Sequence, residues 1–158
     1  MAYTFVYVIF FFVILHAELC FEDMIQRLNS DAVGQWYESD MPEGCPPMDV
    51  FKVDGDFYRF VSGPPSEADF IPHSRLYPNR NFTGQECQAR AISVFKSLDE
   101  CKMMRKFPAF RNKKLAVVHI TPEDGVVKST PSGQNKTHYS WWRSATCQTI
   151  NYTMLSNE

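Results

Sequence analysis

Residues 113–130 read KKLAVVHITPEDGVVKST. Leu115 to Ile120 is a short run of mostly β-branched and aliphatic residues, too short for a core helix and suited to a strand. Thr121-Pro122-Glu123-Asp124-Gly125 is turn chemistry, with proline early and glycine last. Val126 to Thr130 then reads as a second, shorter strand. Set in a chain whose order is helix, strands, helix, strands, this strand, turn and strand suit a mainly antiparallel sheet.

Working towards the N-terminus, Ala91 to Phe95 (AISVF) reads as a buried strand. Ser97-Leu98-Asp99-Glu100 is a capping box, so a helix is predicted from Leu98 to about Phe107, ended by Pro108. Phe57 to Val61 is strand-like, and Asp54-Gly55 between apolar flanks is a hairpin signal. Gly63-Pro64-Pro65 stops that strand. Residues 64–87 hold Pro64, Pro65, Pro72 and Pro78 without a period, and read as a long surface excursion. Phe21, Met24, Ile25 and Leu28 share one helical face, predicting a helix that ends by Gly34. On the other side of the opening stretch, Tyr139 to Trp142 is an aromatic strand. The expected fold is α+β: a single domain over 18–158, with a mainly antiparallel sheet and two helices.

The 158 residues carry 16 Lys+Arg against 18 Asp+Glu, which excludes a wholly basic DNA-binding surface. Charge is nevertheless uneven. Residues 18–70 hold 12 acids and 3 bases, whereas residues 88–114 hold 8 bases and 2 acids. The second block reads either as a solvated face or as a patch for an acidic or phosphate-bearing partner.

Residues 1–17 (MAYTFVYVIFFFVILHA) contain no charged side chain and are shorter than the ~20 residues of a membrane span. They read as a signal peptide cleaved after Ala17, leaving no membrane segment. Asn81, Asn135 and Asn151 stand in N-x-[ST] frames, the acceptor pattern of N-glycosylation. Five cysteines, Cys20, Cys45, Cys87, Cys101 and Cys147, follow the signal, none in a C-x-x-C pair. In an oxidising compartment they imply two disulfides and one thiol. Cys20, Cys45, Cys87 and Cys147 are the disulfide candidates, with pairing undetermined by sequence. Cys101, on the apolar side of the predicted helix, is the expected buried thiol.

His73, His119 and His138 remain after signal removal. No H-E-x-x-H, His-x-His or G-x-S-x-G is present, so no metal ligand set or cofactor is expected. His119 lies within a strand. His138 opens the aromatic strand, where rings could stack on a base or sugar. His119, His138 and Arg59 together would compose a metal-independent ribonuclease site, one imidazole taking a proton and the other giving one.

Phe57-Tyr58-Arg59-Phe60 followed by Ala91-Ile92-Ser93-Val94-Phe95 resembles the first two core strands of the ADP-ribosyltransferase fold. The resemblance implies that Arg59 contacts a nicotinamide dinucleotide and that Ser93 supports the nicotinamide pocket, with His138 lining the same cleft. The catalytic Glu of that family has only Glu123 as a counterpart, in a turn and outside any E-x-E or Q-x-E pattern. The residues thus predict a secreted, glycosylated, monomeric binding module for an extracellular protein or small ligand. An enzyme acting on a dinucleotide, or a ribonuclease, is the alternative.

Overall fold

The computed structural model describes residues 35–133 and 135–155. The expected signal peptide, the helix before Gly34 and Cys20 lie outside the described residues.

Six strands form one sheet: β1 (Gly55–Val61), β2 (Ile92–Phe95), β3 (Lys114–Ile120), β4 (Gly125–Ser129), β5 (His138–Arg143) and β6 (Tyr152–Met154). Their spatial order is β4-β5-β2-β1-β3-β6, and every neighbouring pair is antiparallel. The described helices are α1 (His73–Leu76), α2 (Glu86–Ala89) and α3 (Leu98–Met104), with a 3-10 turn at Glu67–Phe70. The α+β class with an antiparallel sheet therefore holds.

β3 and β4 are consecutive in sequence but stand four places apart in the sheet. A flat sheet would separate them by roughly 19 Å. The chain from Ile120 to Gly125 reaches at most about 18 Å when fully extended. It is not extended, because Asp124 N–H donates to Thr121 O at 3.0 Å. The sheet must therefore curl. Phe57 and Val61 of β1, Val94 of β2, Val118 and Ile120 of β3, Val127 of β4 and Trp141 of β5 meet in one buried cluster on its concave face. Phe70, Cys147 and Ile150 close that cluster. On the convex face α3 lays Cys101 and Met104 against Phe60, Phe95 and Leu115.

Four sequence expectations are corrected. Asp54-Gly55 makes no hairpin: Gly55 opens β1, which pairs with β3 from Gly55↔Ile120 to Val61↔Lys114. Phe51 instead exchanges backbone bonds with Val127, covering the outer edge of β4. An edge left bare would invite pairing with other chains. The proline-rich stretch is no bare loop, since it holds the 3-10 turn, α1 and α2 and buries Phe70. α3 ends at Met104, and consecutive turns continue the chain to Lys113. The capping box is half made. Ser97 Oγ accepts Glu100 N–H, but the Glu100 carboxylate accepts from Thr137 N–H and Thr137 Oγ1 across the fold.

Gly125 has φ +132°, and a Cβ there would collide with the Trp142 carbonyl oxygen and lie 2.9 Å from Ser144 N. Both neighbours are backbone and cannot swing aside. Gly125→Ala is expected to destabilise the fold by on the order of 3 kcal/mol. Urea denaturation of parent and variant measures this, and a loss below about 1 kcal/mol would contradict the β4–β5 geometry.

Candidate functional site

Two elements on the convex face create a recess. β4 and β5 pair with Lys128 opposite Ser140 and Val126 opposite Trp142. Alternation along a strand then puts Lys128, Ser140 and Trp142 on one face, with Thr130 continuing the row. Over them lie the Cys45 loop and α2, tied by a Cys45–Cys87 disulfide. Gly44 (φ +69°) and Gly84 (φ +76°) adopt left-handed backbone that allows the loops to turn there. The recess measures about 230 Å³ and is lined by Gly44, Pro47, Gly84, Gln85, Glu86, Cys87, Gln88, Lys128, Thr130 and Trp142. Trp142 is its buried floor, with indole Nε1–H donating to Cys87 O at 3.1 Å.

A hydrogen-bond chain runs inward from the recess wall. His138 Nδ1 lies 2.9 Å from Thr130 O and 2.9 Å from Thr130 Oγ1. A carbonyl can only accept, so Nδ1 carries a proton and Nε2 is the lone-pair nitrogen of the neutral ring. Thr130 Oγ1 continues to Ser140 Oγ at 2.9 Å. Burial pushes the His138 pKa below the usual histidine range, and the charges of Arg59 and His73 push the same way, against the Thr130 carbonyl.

Arg59 and Ser93 do come together, in a way that binds backbone. β1 and β2 pair in register only at Tyr58↔Phe95, so the ladder opens beyond it. The Arg59 guanidinium fills the opening: Nη1 donates to Ser93 O at 2.6 Å, and Nε and Nη2 donate to Asp69 O at 3.0 and 2.8 Å. Burial lowers its pKa to about 10, with Asp69 opposing, so it stays charged at neutral pH.

His119 belongs elsewhere. Its Nδ1 is 2.8 Å from Asp56 Oδ1 and its Nε2 3.3 Å from Asp54 Oδ1, at an exposed rim. The Asp56 hydrogen bond raises its pKa against desolvation, and the Asp56, Asp54 and Asp124 charges add to the rise. β3 and β5 are three strand spacings apart, so His119 and His138 stand roughly 14 Å apart along the sheet. The structure thus does not bring together the imidazole pair of a ribonuclease-type site. Glu123 is exposed in the β3–β4 turn, its carbonyl accepting from Thr146 Oγ1. Among the described residues no group of His, Cys, Asp or Glu could hold a metal ion.

The cysteine expectation changes in one respect. Cys45 and Cys87 are paired, but Cys147 is a buried thiol outside any disulfide. It lies in the loop before β6, where Arg143 Nε donates to its carbonyl at 2.7 Å. Arg143 is itself buried, paired with Glu67 at 2.8 Å and set 4.0 Å over the Tyr37 ring. Cys101 is buried on α3 as expected. Asn81 and Asn151 are exposed and Asn135 half-buried, and Asn81 Oδ1 accepts Thr83 N–H at 2.9 Å in a local turn.

Sequence reading missed the recess residues Lys128, Thr130 and Trp142 as a set. The period-two spacing of Lys128 and Thr130 was visible, but the β4–β5 register that adds Trp142 and the overlying disulfide were not. No protein-family model, curated protein or solved structure matches the chain.

Two measurements follow from the electrostatics. In an NMR titration His119 is expected to titrate above 6.5 and His138 below it. Asp56→Asn should move His119 back towards the ordinary value and leave His138 in place. The raised His119 pKa contributes stability that is present below pH 6.5 and fades as pH rises through the folded value. The depressed His138 works oppositely, so its share of stability is lost as pH falls below 6.5. An inverted order of the two midpoints would contradict the assigned contacts. Cys147, its pKa pushed up to about 11 by burial and then by Asp124, should react slowly with a thiol reagent in the native protein at pH 8. Peptide mapping after timed alkylation reads this, and rapid native labelling at Cys147 would contradict its placement.

Proposed function

We propose that the chain is a secreted, N-glycosylated binding module whose small polar ligand sits in the disulfide-clamped recess. The observation that carries this reading is the Cys45–Cys87 bond holding a loop and α2 over Lys128, Thr130 and Trp142. A disulfide fits an oxidising compartment, in line with the three sequons and the uncharged N-terminal segment. The recess is smaller than a drug-sized site, which favours a compact ligand. Its lip offers the Gln85 and Gln88 amides and the remaining acceptor position of the Thr130 hydroxyl, which already bonds His138 and Ser140, while Lys128 is paired with Asp49 at 2.8 Å. Neutral hydroxyl-rich molecules such as monosaccharides match such donors and acceptors. Recognition rather than turnover agrees with a half-buried Arg59 whose Nε, Nη1 and Nη2 donate to carbonyl groups.

A nicotinamide dinucleotide is the second reading, supported by the direct contact between Arg59 and the Ser93 carbonyl. Under it, NAD titration should shift the Arg59 Nε–H and Ser93 amide resonances. Under the first reading it leaves them in place.

The test screens a panel of methyl glycosides by amide and indole chemical-shift mapping. Shifts are expected at Gln85, Gln88, Thr130 and the Trp142 Nε1–H, and Gln88→Ala with Thr130→Val should weaken binding at least tenfold. Cys45→Ala with Cys87→Ala opens a loop closed over 42 residues, with a stability loss of about 4 kcal/mol by the chain-entropy relation. The same variant should lose glycoside binding. Shifts gathered at another surface, or binding unchanged without the disulfide, would overturn the recess as the site.

A further inference from the structure

The basic block of the sequence becomes a compact surface that the recess does not use. From Cys101 to Pro122 there is no Asp or Glu, against Lys102, Arg105, Lys106, Arg111, Lys113 and Lys114. Consecutive turns fold this stretch tightly. Lys106 N–H donates to Met103 O, Arg111 N–H to Phe107 O and Lys113 N–H to Phe110 O. Arg105 and Lys114, nine residues apart, stand at the edge of a groove of about 420 Å³ otherwise lined by Pro64, Pro65, Leu115, Met154 and Leu155. Lys106, Arg111 and Lys114 are exposed, and none has a carboxylate partner among the described residues. Lys113 is held by Ser62 Oγ. A chain of net charge −2 that gathers its cations this way departs from simple charge mixing.

We propose that this surface binds a sulfated polysaccharide. Closely set lysines and arginines attract a polyanion through its charge density and gain from release of its counterions. Anionic lipid is concentrated on cytoplasmic membrane faces, whereas the disulfide fits an oxidising compartment, where polyanions are chiefly sulfated glycans. The inference rests on the secretory part of the proposed function, and is independent of the recess ligand.

The full chain, purified from the medium of secretory cells, is passed over immobilised heparin at about 0.15 M NaCl. Retention and elution at higher salt are expected, with no retention on unsulfated dextran. Lys106→Ser with Lys114→Ser should weaken heparin binding about tenfold and flatten its salt dependence. Lys52→Ser with Lys136→Ser, which removes the same net charge elsewhere, should leave binding near the parent value. An unchanged His119 resonance in each variant shows that the fold is intact. Flow-through of the parent, equal weakening by both double variants, or sedimentation with phosphatidylserine vesicles without heparin retention would overturn the proposal. A chain retained inside the cell would overturn the secretory reading instead.

Discussion

Four residues, Thr121 to Asp124, join two strands that lie on opposite sides of the sheet order. A link that short cannot cross a flat six-stranded sheet, so the sheet bends until β3 and β4 approach. The bend gives the protein its inside, where Val118 and Ile120 of β3 and Val127 of β4 share one cluster with Phe57 and Trp141. Asp124 fastens the corner. Its carboxylate accepts from Thr121 N–H and Thr121 Oγ1 at 2.8 Å, and its carbonyl accepts from Ser144 N–H and the Trp141 indole. Gly125 follows at once because the backbone of β5 passes too near for any side chain.

Bending opens the sheet elsewhere, and two arginines fill the consequences. Arg59 satisfies the Ser93 carbonyl where β1 and β2 diverge, and ties that seam to the 3-10 turn through Asp69 O. Arg143 joins the same turn to the loop before β6 through Glu67 and the Cys147 carbonyl. A buried Arg143 and a half-buried Arg59 are tolerable here because several of their donors find oxygen partners, which offsets the cost of leaving water. Their charge also reaches neighbouring groups: Arg59 disfavours protonation of both His73 and His138. Burial first, and Arg59 after it, thus disfavour protonation of His138 beside the recess, whereas the Asp56 hydrogen bond favours it at His119.

Much of the fold was legible locally. The strand at Leu115–Ile120, the turn after it, the Ser97 helix start and the aromatic strand all carry strong periodicity or turn chemistry, and each is present. Burial of Cys101 followed from its place on the apolar side of α3. What misled was local chemistry outbid by distant partners. Asp54-Gly55 has hairpin residues, yet Gly55 pairs with Ile120 instead of folding back on Phe51. Glu100 has a capping partner three residues away, yet it bonds Thr137 across 37 residues. β6 is three residues long and half polar, too short to show a period.

The sequence by itself determined the composition of each segment: which stretches other than β6 are strands, where α3 begins, where the cations gather, and that cysteines are present for a disulfide. Those properties arise from neighbours a few residues apart, and neighbours in sequence are always present together. Only the tertiary structure decided that Cys45 pairs with Cys87 while Cys147 stays a thiol, that Arg59 meets the Ser93 carbonyl, and that Lys128, Thr130 and Trp142 share a recess. Each of these joins residues tens of positions apart or depends on strand register. Register is set by the whole curled sheet burying one face at once, a constraint no short stretch of the chain contains.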